Sequence, residues 1–446
     1  MKKCEKCAPN KNNQLNKLRF FSIYSFLLIC LFFPQKYIKS QSKTDTLNFD
    51  LKPDSINKNI TITAVGDIMF GTNFPSKKYL PKNEDCIQLI DSVKEFFNQT
   101  DIIFGNLEGC ISNDAPARKR CNDPTKCYLF RMPKKFGDCL KFAGFNLISL
   151  ANNHTWDFGE KGVEDTKSVL NSLGINYAGL DYKPYTIFDL NENQKIGFCA
   201  FAPNYRTPSL LNTKKAQKIV QELSEKYDIV IVSFHGGGEG SKHQNITKKT
   251  EYSYGENRGN VYEFSHAMID AGADVIIGHG PHVTRAIDIY KNKFIAYSLG
   301  NFCTYGRFKL SGANGIAPIL KLEISEKGDF LSGKIIPITQ INGGYVKLDN
   351  EKKVIKKVQD LTNTDFPEQV IIIDNEGNIS VADSVPFENK QEGNSFRVWL
   401  NDNYPAYAQQ IQLDTDGSYN NSYITKAYQK YGAEYNQVMN NVRRKK

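Results

Sequence analysis

From residue 60 onward, short apolar runs alternate with segments whose apolar residues recur about every 3.6 positions. Ile60–Val65 is rich in β-branched residues and stops at Gly66-Asp67, which predicts a strand. Glu84–Asn98 spaces Ile87, Ile90, Val93, Phe96 and Phe97 for one face of a helix. Asp101–Phe104 predicts a strand ending at Gly105, and the polar, Pro- and Cys-containing segment Gly109–Arg131 an ordered loop. Further helices are predicted over Pro133–Phe142, Lys161–Leu173, Thr213–Tyr227 and Asn260–Ala271, two of them stopped by Gly174 and Gly272. Between them, Asn146–Leu150, Asn176–Gly179, Lys195–Ala202, Asp228–Phe234 and Ala273–Ile277 predict strands, followed by Ile287–Tyr290 and Phe294–Leu299. Strand-like segments then continue without helices to about Val346. Strands joined by helices, some apolar throughout, indicate an α/β domain whose sheet is covered on both faces. The strand-only stretch adds a second sheet. One domain is therefore placed at 58–346. Residues 347–446 differ in texture, with strands expected at Gln369–Ile373 and Ile379–Val381 and no motif, and read as a C-terminal extension.

Ahead of this pattern, Phe20–Phe33 is an uncharged run of 14 residues, preceded by Lys2, Lys3, Lys6, Lys11, Lys17 and Arg19 and followed by Pro34 and a polar stretch with Ser40 and Ser42. A basic head, a short apolar core and small residues beyond it predict a secretory signal over residues 1–42. An uncleaved signal anchor is the alternative, although the run is short of the roughly 20 residues that span a bilayer. Ile29 is too bulky before Cys30 for a lipoprotein signal, so the chain is expected to be exported to the cell envelope. The leader has eight basic residues against the single acid Glu5, which accounts for +7 of the chain's net +9. The body is close to neutral, and nucleic-acid binding by bulk charge is excluded. A 12% aromatic content excludes a disordered chain.

Ten cysteines are present, with Cys4, Cys7 and Cys30 in the leader. The other seven leave at least one thiol unpaired. Cys110, Cys121 and Cys127 share one polar loop, where a bridge is expected in an oxidising compartment. Cys199 and Cys303 sit in apolar runs and are expected to be buried thiols.

The sheet reading directs attention to strand ends, because ligands of such folds bind beyond the carboxyl ends of their strands. At those ends stand Asp67, then Asn106 and Glu108, then Asn152, Asn153 and His154, then His235, then His279 and His282. Four of the chain's six histidines follow apolar strands directly; His243 and His266 do not. Taken singly, Asp67 is an ordinary turn residue, Asn153 a capping amide, His235 a core imidazole and Glu108 an ion-pair partner for Arg118 or Lys119. Together they form a mixed nitrogen and oxygen donor set suited to one or two divalent ions such as Mn, Fe or Zn.

The segments VGDIMFG at 65–71, GNLEG at 105–109, LANNHTWDFGEKGVEDT at 150–166, SFHGGGE at 233–239, AGADVIIGHGPHV at 271–283 and AYSLGNF at 296–302 resemble the CapA family of poly-γ-glutamate capsule biosynthesis proteins. That family's domain belongs to the calcineurin-like metallophosphoesterase superfamily, and the resemblance covers about 60–345. It implies a four-layer αββα sandwich of the metallo-dependent phosphatase type with a two-metal centre. The superfamily's Asp-x-His is Asp67-Ile68-Met69 here, so its His is missing. Glu108 stands for the bridging Asp, Asn153 for the metal-binding amide, His235 for the lone His, and His279 and His282 for the Gly-His-x-His, with one residue extra. One ion would take Asp67, Glu108 and His282, and the other Glu108, Asn153, His235 and His279. His154, with Asn152, is implied to be catalytic, as acid on the leaving group. Asn106 and Arg285 are candidate substrate-binding residues.

Two functions remain open. One is metal-assisted hydrolysis of a phosphoester or related substrate in the synthesis, export or anchoring of an anionic envelope polymer, alongside membrane-bound capsule synthesis partners. The other is a non-catalytic, metal-containing factor that binds or assembles the polymer. A cytosolic nucleotide phosphatase is a third reading, which the leader argues against.

Overall fold

The computed structural model describes residues 59–120, 127–367 and 371–381, with short helical stretches between 396 and 439. The leader, with its signal or anchor reading, lies outside the described residues. Among the described residues, no helix is long and apolar enough to cross a membrane.

Two sheets carry the architecture. The larger runs, in order, Ile371–Ile373, Asn378–Val381, Phe330–Ile341, Ile316–Ile324, Ile60–Met69, Ile102–Leu107, Leu147–Ser149 and Asn176–Ala178, with Asn301–Thr304 also pairing Ile60–Met69 and Tyr345–Leu348 pairing Phe330–Ile341. The smaller runs Ile287–Tyr290, Lys293–Ala296, Val275–His279, Ile229–His235, Gln194–Phe201 and Tyr185–Asn191.

Strand alternation sorts the side chains into three apolar slabs. Ile62, Ala64 and Phe104 of the larger sheet meet Phe198, Ile229, Ile231 and Ile277 of the smaller, forming a core between the sheets. Val65, Ile68, Ile103 and Leu107 face outward onto Phe97, Leu140 and Leu170. Val230 and Val232 face the opposite way, onto Ala216, Val220, Val261 and Phe264. Successive residues of Ile229–His235 thus enter two different cores, which is why the run is apolar throughout. The outer slabs are closed by helices Gly137–Ala143 and Gly159–Ser172 on one side and Thr213–Ser224 and Val261–Asp270 on the other. Four layers result, as expected.

Three features differ from the sequence reading. The segment expected as a helix over 84–98 is a series of 3-10 turns, Ile87–Leu89 and Asp91–Phe97, which still bury Leu89, Val93 and Phe97 because a three-residue turn keeps i and i+3 on one side. Cys86 bonds to Cys139 of the neighbouring helix, with Cα atoms 6.1 Å apart. Of the three loop cysteines among which a bridge was expected, Cys110 is a buried free thiol against helix Gly159–Ser172, Cys127 is disulfide-bonded and Cys121 lies outside the described residues. Cys199 and Cys303 are buried thiols, as expected, and burial pushes both well up from the usual thiol value.

The larger sheet also continues beyond residue 346. Strands Ile371–Ile373 and Asn378–Val381 extend it, and helix Lys353–Asp365 sets Val354, Ile355 and Val358 into the core between the sheets. Asp365 accepts hydrogen bonds from Asn245 Nδ2 and Ile246 N, both at 2.8 Å.

Candidate metal centre

Register brings the chemistry together. Ile60–Met69 lies parallel to strands on both sides, so Asp67 sits level with Asn106 and with Asn301. In the other sheet His235 is the register partner of His279. Gly66 admits no side chain here: a Cβ would fall 1.9 Å from the carbonyl oxygen of Gly300. Gly280 lets the loop after His279 close onto Gly236, where a Cβ would be 2.8 Å from its backbone nitrogen.

Asp67, Glu108 and His282 offer ligand atoms that all lie within 4.8 Å of one another. His282 Nδ1 is 2.9 Å from Asp67 Oδ2, and its Nε2 is 3.6 Å from Glu108 Oε1. His279 Nδ1 lies 3.4 Å from Asp67 Oδ1. The extra residue of Gly278-His279-Gly280-Pro281-His282 is absorbed in a turn in which Gly280 and His282 both take positive φ, 112° and 57°. That conformation is unfavourable for histidine. Asn301 and Asn314 hold it by donating to the His282 carbonyl at 3.2 and 3.0 Å.

Around this trio, buried lone pairs go unmatched. Both carboxylate oxygens of Glu108, Oδ1 of Asn153 and both ring nitrogens of His235 and of His279 have no hydrogen-bond partner. A buried acceptor without a donor costs about 1–3 kcal/mol. Carboxylate, amide oxygen and imidazole lone pairs concentrated at paired strand ends fit a divalent cation. The electrostatics agree. Burial favours a proton on Glu108, and the Asp67 charge adds to this, so its carboxyl is raised far above the usual range. Burial would raise Asp67 too, but His279 and His282 beside it hold it well below. Burial opposes charge on His282, yet Glu108 and Asp67 win and push it up to about 10. His235 is held well below the usual value by burial and then by the Arg258 charge, which keeps it a neutral donor. The upward shifts of Glu108 and His282 mark a site that favours added positive charge, which a cation would supply.

His154 flanks the cluster. Its Nδ1 is 2.7 Å from Asp157 Oδ2, its Nε2 is 4.0 Å from Glu108 Oε1, and its ring lies 4.2 Å from that of Phe130. Asp157 fixes the proton on Nδ1 and leaves Nε2 facing the site. Asp157 is itself held by Lys119 at 3.1 Å and by the Phe130 amide at 2.9 Å. Burial lowers the basicity of His154.

Three candidates take other roles. Asn152 is saturated: its Nδ2 donates to Asn106 Oδ1 and the Leu107 carbonyl, and its Oδ1 accepts from His154 N and Thr155 Oγ1. Asn106 donates to Asp67 Oδ1 at 2.9 Å, which orients that carboxylate. Arg285 is fully buried in a two-pronged pair with Glu251, at 3.0 and 2.7 Å, and also donates to the His243 and Gly238 carbonyls. Its donors are committed to pinning the loop after His235, so it has none for a substrate anion. Sequence reasoning did not single out Asp157 or Asn301. The spacing His154-x-x-Asp157 was a usable signal, whereas Asn301, though within the AYSLGNF motif, acts on a residue 19 positions away, a contact that the motif does not reveal.

Met69, where the superfamily's His is missing, is buried, with its sulfur 3.3 Å from Gly71 N.

The family description "Bacterial capsule synthesis protein PGA_cap" matches residues 61–305. "Capsule biosynthesis protein CapA" of Bacillus anthracis is 28% identical over 264 residues, covering 55% of this chain and 60% of that one. "PGA biosynthesis protein CapA" of Bacillus subtilis is 30% identical over 258 residues, covering 54% and 63%. The match therefore spans less than two thirds of those relatives. Among solved structures, a 5'-nucleotidase precursor from Thermus thermophilus aligns at a TM-score of 0.34 and 12% identity, covering 70% of this chain and 61% of that one. A purple acid phosphatase from yellow lupin aligns at 0.33 and 8%, covering 67% and 55%. The match runs from the strand that bears Asp67 to the end of the strand that bears Asn301, and the chain belongs to the bacterial capsule synthesis protein family PGA_cap.

Proposed function

We propose that this chain is an exported envelope protein that performs metal-assisted hydrolysis in the making of an anionic capsule polymer of the poly-γ-glutamate kind. The observation that supports this reading is the cluster of Asp67, Glu108 and His282, with unmatched polar atoms on Glu108, Asn153, His235 and His279 and His154 Nε2 4.0 Å from Glu108. Disulfide bonding of Cys86, Cys139 and Cys127 supports an oxidising compartment. Asp67, Glu108 and His282 would hold one divalent ion, and Asn153, His235 and His279, sharing Glu108, a second.

Such an ion supplies Lewis-acid polarisation of the electrophile and charge that lowers the pKa of an attacking water. The chain's residues do the rest. Asn106 and Asn152 orient Asp67. Asn301 and Asn314 hold His282 in its strained turn. Asp157 keeps the proton on His154 Nδ1, so that Nε2 is the atom at which a proton moves to the departing oxygen. Phe130, packed on the His154 ring, and Phe308, 5.2 Å from the His282 ring, form an aromatic wall beside the site.

The test is elemental analysis of the purified chain, followed by hydrolysis of bis(4-nitrophenyl) phosphate with Mn²⁺. One or two bound ions and a turnover lost in Asp67→Asn is the expected result. Bound metal without turnover would favour the polymer-binding factor, and no bound metal would reject the site.

A further inference from the structure

Arg285 is committed to Glu251, which leaves the question of which cation meets an anionic substrate. The wall of the site points to another arginine. Phe308 lies 5.2 Å from the His282 ring and stacks on Phe130 at 5.0 Å, and Phe130 packs on His154. Immediately before Phe308 is Arg307. Its guanidinium lies over two tyrosine rings, 4.7 Å from the centroid of Tyr79 and 4.7 Å from that of Tyr128. Tyr128 in turn neighbours Phe130, ring to ring at 6.5 Å.

Arg307 is half-buried, and none of its donors meets a hydrogen-bond or ion-pair partner among the described residues. Two other arginines by the histidine loops are engaged: Arg258 with Glu239 at 2.8 Å, and Arg285 with Glu251. A guanidinium fixed by two aromatic faces has lost most of its rotamer freedom and keeps its planar fork of N–H donors free. That arrangement suits a planar or tetrahedral oxyanion, bound through two parallel hydrogen bonds. Nearby, Lys119 anchors on the Asn153 carbonyl and on Asp157 and adds positive charge to the His154 side.

We propose that Arg307 binds an oxyanion of the substrate, a carboxylate or a phosphate, beside the Phe130–Phe308 wall that flanks His154 and His282. The inference rests on the metal cluster being the place where substrate binds, and not on turnover. Its test is therefore direct binding, by calorimetry on the Mn²⁺-loaded full-length chain, with two probes: a γ-linked glutamate trimer and inorganic phosphate. Arg307→Gln is expected to weaken at least one probe about ten- to a hundredfold, the range for a charge-assisted hydrogen bond. Arg307→Lys is expected to lose most of the same affinity, because a point charge cannot reproduce the fork. Tyr128→Leu, which removes one supporting face, is expected to weaken binding several-fold. Loss with the trimer alone identifies a carboxylate as the ligand, loss with phosphate alone a phosphate, and loss with both an oxyanion site of either kind. Wild-type affinity of Arg307→Gln for both probes, or no binding of either probe by the wild type, overturns the proposal. Whether bis(4-nitrophenyl) phosphate is hydrolysed is read separately, so a failure of the hydrolytic reading is distinguishable.

Discussion

At the scale of single residues, His154 and Asp157 make the sharpest expectation. A residue that delivers a proton to the leaving oxygen matters most when that oxygen is a poor leaving group. His154→Ala is expected to lower kcat about 10²–10⁴-fold for an alkyl phosphodiester and far less for a 4-nitrophenyl ester, whose phenolate departs unaided. Equal losses on both would mean that His154 acts through structure alone. Asp157→Asn should repeat the pattern in weaker form, because the amide no longer fixes the Nδ1 proton. Asn301 works on geometry. Asn301→Ala removes one of the two amides that restrain the His282 carbonyl. Metal affinity is expected to fall about 10–100-fold, the usual effect of losing a group that orients a ligand, as measured by competition with a chelator. Residues of this kind were only half legible beforehand. Asp67, Glu108 and the four histidines stand directly at strand ends, where chain position alone places them. Asp157 and Asn301 act through contacts that the chain makes only on folding.

At the scale of elements, two fastenings hold the site's frame. The first is the Arg285–Glu251 pair, which ties the loop after His235 to the strand end after His282. Breaking one side of a buried, two-pronged pair leaves an uncompensated charge, at about 3–5 kcal/mol. Arg285→Ala is expected to lower the urea midpoint accordingly, and an unchanged midpoint with weakened substrate binding would restore the substrate role. The second is Cys86–Cys139, which closes a loop with a sequence separation of 53. Its removal by Cys86→Ala with Cys139→Ala is expected to cost about 2–4 kcal/mol, largely through the unfolded chain. The bond joins the 84–98 segment to helix Gly137–Ala143. Over 84–98 the apolar period predicted burial correctly, but the 3-10 and α spacings differ by less than one residue per turn and could not be separated. Strand Tyr185–Asn191 went unrecognised because it is a partly exposed edge whose Asp189 and Asn191 break the apolar run.

For the whole molecule, metal and proton compete for the same charge site. In the metal-free chain His282 is raised from the ordinary imidazole value to about 10, and Glu108 is raised as well. A group whose folded pKa is raised binds more protons folded than unfolded, so its stabilising contribution is full below the unfolded value and is lost as pH rises through the folded one. The metal-free protein is therefore expected to lose thermal stability between about pH 6.5 and 10. Mn²⁺ supplies the missing charge, so the loaded protein should show a weaker decline and its metal affinity should rise over the same interval. A chelator at neutral pH is expected to lower Tm reversibly, with a stability change of about 2.7 kcal/mol at a free metal concentration of 100 times Kd. Parallel pH profiles for the two forms would mean that the cation does not sit on these groups.

The sequence by itself determined most of the strands and helices, and that acids, amides and imidazoles would terminate the strands. Those features are local: they follow from the period of apolar positions and from what stands directly after each run. What only the tertiary structure decided is how the strand ends meet. Register set Asp67 level with Asn106 and Asn301, and His235 level with His279, and the two sheets packed so that these ends converge. The same packing turned Arg285 inward to Glu251 and left Arg307 between two tyrosines. Arg285 and Arg307 end with different neighbours because a guanidinium's partner is fixed by distance in space, which the order of residues does not encode.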